Sequence, residues 1–338
     1  MDSSCMLGLF AQANSTLSKT VIQKTMASML GMRMFYLTEA ILELCASQSW
    51  SRLLHEPPSM LDRHAQWMTK EGNKTYWLGI NEFVDLTNKE FRAYWKGYKV
   101  SSSSRQYKKS PFKYENETAV PSSIDWRKKG SVTPIKDQGK CGCCWAFFAA
   151  SAMEGIAKIT TGRLVSLSVL ELVDCDTKGE NQGSRGSLMD NAFDFIIENK
   201  GLTTEVNYPY EGVDGTCNAT KAASHAASIT GYEDVPENNE SALPKVVADQ
   251  PVSVAIGANG SDYQFYAGGV FTGECGTELS HGVTAVGYGT DDDGTKYWLA
   301  KNSWGTGWGE EGCIRMARDI DTKEDLCSIA MKASYPTA

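Results

Sequence analysis

The apolar positions change their spacing along the chain. From Cys144 to about Ile159, the residues Trp145, Phe148, Ala149, Ala152, Ile156 and Ile159 fall on one stripe of period 3.6, and Gly162 supplies a stop, so a helix is expected there. The stretch LMDNAFDFII, Leu188 to Ile197, predicts a second helix. After about residue 228 short runs rich in β-branched and aromatic residues take over. Strands are expected at Val252–Ile256, Val283–Tyr288, Tyr297–Lys301 and Cys313–Met316. A helical half followed by a strand-rich half predicts an α+β fold of two lobes with a cleft between them.

The front of the chain reads differently. Residues 1–31 are polar and irregular. A stretch resembling a targeting signal follows Met32, with Arg33, an apolar run through Leu44 and Cys45, and small residues at Ala46, Ser47 and Ser49. Residues 52–100 are helix-prone and rich in Trp, Tyr and Phe, and Ser101–Ser104 with Arg105 form a linker open to nicking. At Val120 the text becomes Gly-rich and mixed and stays so to the end. This divides the chain into 1–51, 52–119 and 120–338. No apolar run reaches the roughly 18–20 residues needed to span a bilayer.

Composition sharpens the division. At 338 residues with 41% hydrophobic and 22% charged, the chain can build a real core. The net charge of -8 gives no reason to expect nucleic acid as a partner. The charge is uneven. Residues 1–119 hold 15 Lys and Arg against 11 Asp and Glu, whereas the rest hold 18 against 30. A basic front segment facing an acidic body suggests that one docks on the other. The 10 cysteines suit a secretory or endomembrane compartment, and sequons stand at Asn14, Asn73, Asn116, Asn218, Asn239 and Asn259.

Candidate chemistry starts from the histidines, because there are only 4. His225 sits among Ala and Ser with no patterned neighbours and reads as a surface residue. His281 opens the run HGVTAVGYG, which the turn 291–294 joins to KYWLAKNSW. Folding that hairpin about its midpoint puts 281 opposite roughly 304 and 302 opposite roughly 283, within a residue or two. His281 and Asn302 become cross-strand neighbours, so the amide can accept the imidazole N–H and leave the other ring nitrogen as a base. Trp304 is close enough to shield that bond. Cys144 begins a helix, whose N-terminal dipole favours a thiolate, and a nearby imidazolium would lower the thiol further. Gln138, six residues earlier, could supply an oxyanion donor. A metal site on Cys141, Cys143 and Cys144 finds no second Cys/His pair nearby, and no metal or other cofactor is expected.

The ordered set QGKCGCCWAF (138–147), SHGVTAVGYG (280–289) and NSWGTGWGEEG (302–312) resembles the papain and cathepsin-L-like cysteine proteases. GINEFVD (79–85) resembles that family's propeptide motif, and LTNKEF, ELVDC, NYPYEG and IAMKASYP resemble plant vacuolar, senescence-associated members. The resemblance implies a papain-like fold with a helical left lobe and a barrel-like right lobe. It implies a catalytic set of Cys144, His281, Asn302 and Gln138, acting through a thioester. Disulfides Cys175–Cys217 and Cys275–Cys327 follow from it, as do substrate contacts at Gly186, Ser187, Leu188, Met189, Ala255, Leu279 and Trp304. Lys332 falls near the floor of the main side-chain pocket and leaves its preference open. The implied partners are polypeptide substrates, the chain's own propeptide (52–119) as inhibitor, and cystatin-like inhibitors of a monomeric enzyme. The implied location is a vacuole- or lysosome-like compartment, or the cell exterior.

Several residues depart from the family pattern. Ser184 stands where a cysteine would pair with Cys141, which leaves Cys141 orphaned. Ser187 replaces a glycine whose backbone holds substrate, so its Cβ could crowd the cleft. Cys143 replaces Ser or Ala, Cys313 replaces Tyr, and Val169 and Leu170 replace Glu and Gln. The propeptide lacks the family's long helix, since AQWMTK (65–70) runs directly into EGNKTYWLGI (71–80). Weak self-inhibition or poor folding is expected from that loss, and an inactive homologue is the competing reading.

Overall fold

A computed structural model describes residues 74–95, 97–98, 112–177 and 183–338. The leader, the start of the segment after it, the Ser101–Ser104 linker and the sequons Asn14 and Asn73 lie outside the described residues.

The strands are β1 (Tyr76–Leu78), β2 (Ile124–Asp125), β3 (Gly231–Asp234), β4 (Val252–Ile256), β5 (Tyr266–Phe271), β6 (His281–Thr290), β7 (Lys296–Lys301), β8 (Cys313–Ala317) and β9 (Lys332–Thr337). The α-helices are α1 (Asn88–Tyr94), α2 (Cys144–Thr161), α3 (Val169–Cys175), α4 (Met189–Glu198), α5 (Ala219–Ala222), α6 (Leu243–Asp249) and α7 (Ser261–Gln264). The sheet runs β1-β5-β8-β7-β6-β4-β9-β3, with β2 added on β6, and its end strands do not pair with each other.

Two buried clusters define two lobes. One gathers α2, α3 and α4 around Trp145, Phe148, Met153, Leu172, Phe193 and Ile196. The other lies within the sheet around Val254, Tyr266, Phe271, Trp298, Trp304 and Trp308. The expected strands all form, at or within a few residues of their predicted ends. The helix at Cys144 also forms and stops where Gly162 takes a left-handed φ of 74° that a side chain would disfavour. The stripe drawn for it needs correction. Ile159 is 39% exposed, while Cys144 to Ala157 are buried on every side. This helix is the wall between the lobes, packed on α3 and α4 on one side and on β4 and β6 on the other, so its burial is not confined to one face.

A polar seam crosses the same wall. Glu154 of α2 accepts from Thr133 Oγ1 at 2.5 Å and from the Leu167 N–H at 2.8 Å. Lys136 Nζ reaches Glu154 at 3.4 Å and Glu205 at 3.1 Å. Lys301 of β7 donates to Thr133 O at 3.0 Å and Thr133 Oγ1 at 2.8 Å. Burial pulls the Lys301 pKa down, against the pull of Glu154.

The front segment joins the body rather than trailing from it. Its β1 pairs antiparallel with β5 and so becomes an edge strand of the body's sheet. Helix α1 is started by a capping box, with Thr87 Oγ1 accepting from the Glu90 N–H and Glu90 accepting from the Thr87 N–H. Gln264 then ties the segment down. It donates to Phe83 O at 3.2 Å and Leu86 O at 3.1 Å, and accepts from Asn88 at 3.2 Å.

Candidate active site

The hairpin β6–β7 places the histidine. Thr284 pairs with Lys301, the register expected from the sequence, with an irregularity between Ala285 and Gly287. His281 Nε2 and Asn302 Oδ1 are 2.8 Å apart. Trp304 stacks on the imidazole, with centroids 4.6 Å apart and planes at 27°. His281, Asn302 and Trp304 are at most 3% exposed, so the hydrogen bond sits in a dry, low-dielectric setting where it is strengthened.

Cys144 opens α2 directly beside this pair. The backbone N–H groups of Gly282, Gly97, Trp145 and Cys144 itself favour its thiolate. The sequence led to an expectation of a lowered thiol pKa, and the structure shows the opposite. Burial dominates and pushes the Cys144 thiol up to about 11. The front segment adds to that burial. Gly97 lies over the helix start so closely that a Cβ there would overlap the Gly142 carbonyl. Its carbonyl accepts from the Ser187 N–H at 3.0 Å, and the Tyr98 N–H donates to Ser280 O at 3.3 Å. The segment therefore crosses the cleft from wall to wall, with Tyr98 bridged to Ser187 in parallel.

Gln138 is fully buried. Its Nε2 donates to Cys141 O at 2.7 Å, its Oε1 accepts from Ser303 Oγ at 2.6 Å, and its own carbonyl accepts from Tyr210 at 2.8 Å. The amide is thus locked next to the Cys144 turn, on the loop that leads into α2.

The pocket residues also converge. Met189 and Ala255 share a buried cluster with Tyr98, and Leu188 and Leu279 pack against it. Gly186 takes a φ of 104°, and a Cβ there would strike the Gly97 carbonyl, so glycine is required. Ser187 keeps its N–H in the cleft, and its Oγ lies 3.4 Å from Asn191 Nδ2 on α4. Its side chain is turned to the helix and does not crowd the cleft.

Cys175–Cys217 and Cys275–Cys327 are disulfides. Cys141 is not orphaned as the sequence implied, because it is bonded to Cys143. With Ser184 in place of a cysteine, the cysteine two residues along is the thiol that Cys141 reaches. Gly142 still binds the Ser184 carbonyl at 2.9 Å, so the two loops stay adjacent without a covalent link. Cys144 and Cys313 are free and buried. Val169 and Leu170 pack into the helical lobe. His225 is exposed, as expected. Among the described residues no cluster of three His, Cys, Asp or Glu side chains is arranged to hold a metal, and no helix is long and apolar enough to cross a membrane.

A sequence profile described as "Papain family cysteine protease" matches residues 120–337. The chain belongs to the papain family. The protease is 51% identical over 330 residues to the senescence-specific cysteine protease SAG39 of Oryza sativa subsp. indica, covering 87% of this chain and 95% of that one. It is 57% identical over 296 residues to vignain of Ricinus communis, covering 85% and 82%. Among solved structures it superposes on recombinant stem bromelain precursor with a TM-score of 0.74 at 44% identity, covering 82% of this chain and 89% of that one. The proform of the ragweed pollen cysteine protease Amb a 11 gives a TM-score of 0.75 at 44% identity, covering 82% and 86%. The protease has the two-lobed α+β fold of these relatives, and its function is that of a cysteine endopeptidase. Neither the site nor the relatives favour the inactive reading. The front segment was legible in the sequence as a motif at 79–85, a linker at 101–105 and a basic stretch ahead of an acidic body. The residues that block the cleft, Gly97 and Tyr98, carry no sequence signal of their own.

Proposed function

We propose that this chain is the latent precursor of a papain-like endopeptidase whose nucleophile is Cys144, whose general base is His281, and whose imidazole is held by Asn302. The observation that carries this reading is the 2.8 Å bond between His281 Nε2 and Asn302 Oδ1 beneath Trp304, beside a free cysteine at a helix start. With Nε2 protonated and bonded to the amide, Nδ1 is the ring nitrogen left to take the thiol proton. The thiolate attacks the peptide carbonyl. The oxyanion that forms is bound by the Cys144 N–H and the Gln138 amide. The imidazolium then protonates the leaving amine, and water hydrolyses the thioester.

The segment 52–119 acts as the intramolecular inhibitor, since Gly97 and Tyr98 occupy the cleft, and 120–338 is the peptidase unit. Substrates are polypeptides presenting an apolar side chain to the Leu188, Met189, Ala255 and Leu279 pocket. The two long-range disulfides support passage through the secretory pathway, with the enzyme working in a vacuole-like compartment or outside the cell. The processed enzyme is a monomer that cystatin-like inhibitors can reach once Gly97 and Tyr98 have left the cleft.

The test is labelling with a thiol-directed epoxide probe after acid activation, in wild type and in Cys144→Ala. Wild type should label stoichiometrically and the variant not at all. Labelling that persists in the variant would move the nucleophile to another cysteine.

A further inference from the structure

The floor of the main pocket carries a lysine whose charge is already taken. Lys332 opens β9 opposite Ala255 of β4. Asp190 follows Met189 in the first turn of α4. Both therefore enter where two pocket residues stand. Lys332 Nζ lies 2.9 Å from Asp190 Oδ2 and 3.0 Å from Asp234 Oδ1, at the end of β3. Ser334, on the same face of β9, puts its hydroxyl 2.7 Å from Asp190 Oδ1 and 2.6 Å from Asp234 Oδ1 and donates to one or the other. One ammonium against two carboxylates leaves the group short of one positive charge.

Burial works against the Lys332 charge, but Asp190 and Asp234 outweigh it and hold its pKa above the ordinary value. The Tyr98 side chain faces the same group. After burial, the carboxylates of Asp190, Asp234 and Glu237 are the largest influences pushing its phenol up.

Alone, a lysine at this floor would attract an acidic side chain. Clamped, its charge is outnumbered. An entering carboxylate would lose water, meet two carboxylates, and find two of the ammonium's three donors engaged. We infer that Asp190 and Asp234 are specificity-determining residues, which neutralise Lys332 so that the pocket takes aliphatic and aromatic side chains, tyrosine included, and rejects acidic ones. This rests on the reading that Leu188, Met189, Ala255 and Leu279 form the pocket for the residue two before the scissile bond.

The experiment uses the full chain after acid activation and three fluorogenic peptides that carry Leu, Tyr or Glu at that position. Wild type should cleave the Leu and Tyr peptides and discriminate against Glu by roughly 100-fold or more in kcat/KM. Asp234 has 49% of its side chain exposed, so Asp234→Asn should fold normally, and a wild-type circular dichroism spectrum with a cooperative melt verifies this. That variant should raise kcat/KM for the Glu peptide roughly tenfold, mainly through KM. Adding Lys332→Met should abolish the gain. The inference is overturned if Asp234→Asn leaves the Glu-to-Leu ratio unchanged, if the gain survives without Lys332, or if wild type cleaves Glu as well as Leu. Wild type that cleaves none of the three overturns the active-site reading and this inference with it.

Discussion

Cys144 shows how one residue can be a nucleophile and be silenced at the same position. The helix start and four N–H groups favour its thiolate, but complete burial under Gly97 costs more, and the thiol is pushed up to about 11. Uncovering the cleft removes the larger effect and leaves the smaller ones. Iodoacetamide should therefore alkylate Cys144 on the order of 10²-fold more slowly in the precursor than in the processed enzyme near neutral pH, as read by mass spectrometry of the Cys144 peptide. Equal rates would show that the front segment does not control the thiol. Ser184 offers a second test. It sits against Gly142, so Ser184→Cys should draw Cys141 away from Cys143. The cross-link should raise stability by on the order of 2–4 kcal/mol, checked by non-reducing peptide maps and thermal melts. Glu171 gives a pH signature. Burial raises its carboxyl to about 7, against the bonds it accepts from the Thr203 N–H and Asn199. A carboxyl raised in the fold binds its proton more tightly there than in the unfolded chain. Its contribution is full below the unfolded pKa and is lost as pH rises through about 7. Thermal stability should fall between pH 4.5 and 7.5, and Glu171→Gln should flatten that slope.

At the scale of elements, the front segment docks through aromatic rings, although the loss of the long helix predicts weak inhibition. Phe83 and Phe91 meet Trp304 edge-on, at 5.6 Å and 5.1 Å, and Trp304 in turn meets Tyr263 and Trp308. The indole that covers the His281–Asn302 bond is therefore also the platform that holds the inhibitory segment. Both phenylalanines are fully buried, and truncating such a ring costs roughly 3–5 kcal/mol. Phe91→Ala should loosen docking and speed conversion of precursor to mature enzyme, followed on gels over time, with the activity of the mature enzyme unchanged. Conversion at the wild-type rate would mean that β1 and the Gln264 bonds suffice without the aromatic anchor. Helix α2 makes a related point. Its apolar period was legible, but its burial on all sides was not, because a single helix cannot announce that it will have neighbours on both faces.

For the whole molecule, the split between a basic front and an acidic body becomes contact. Lys74 pairs with Asp262 at 2.9 Å, Tyr76 donates to Asp262 at 2.5 Å, and Arg92 approaches Glu278 at 3.7 Å. Each pair adds a small attraction across the junction. Asp262→Asn, which removes a charge there, should therefore speed processing. The measurement is the time course of propeptide release. A variant processed at the wild-type rate would show that the other contacts hold the segment without this pair.

The sequence by itself determined whatever depends on neighbours along the chain. The start of α2 at Cys144, its stop at Gly162, and the register that brings His281 to Asn302 all follow from helical period, a glycine and a short turn. Tertiary structure alone decided what depends on segments far apart meeting in space. Gly97 and Tyr98 close the cleft from more than forty residues upstream of Cys144. The Ser184 carbonyl meets the Gly142 N–H across two loops, beside the Cys141–Cys143 bond. Lys332 is neutralised by carboxylates from α4 and β3. Burial and charge pairing are properties of the assembled lobes, and they convert a site legible in sequence into one that is latent and selective.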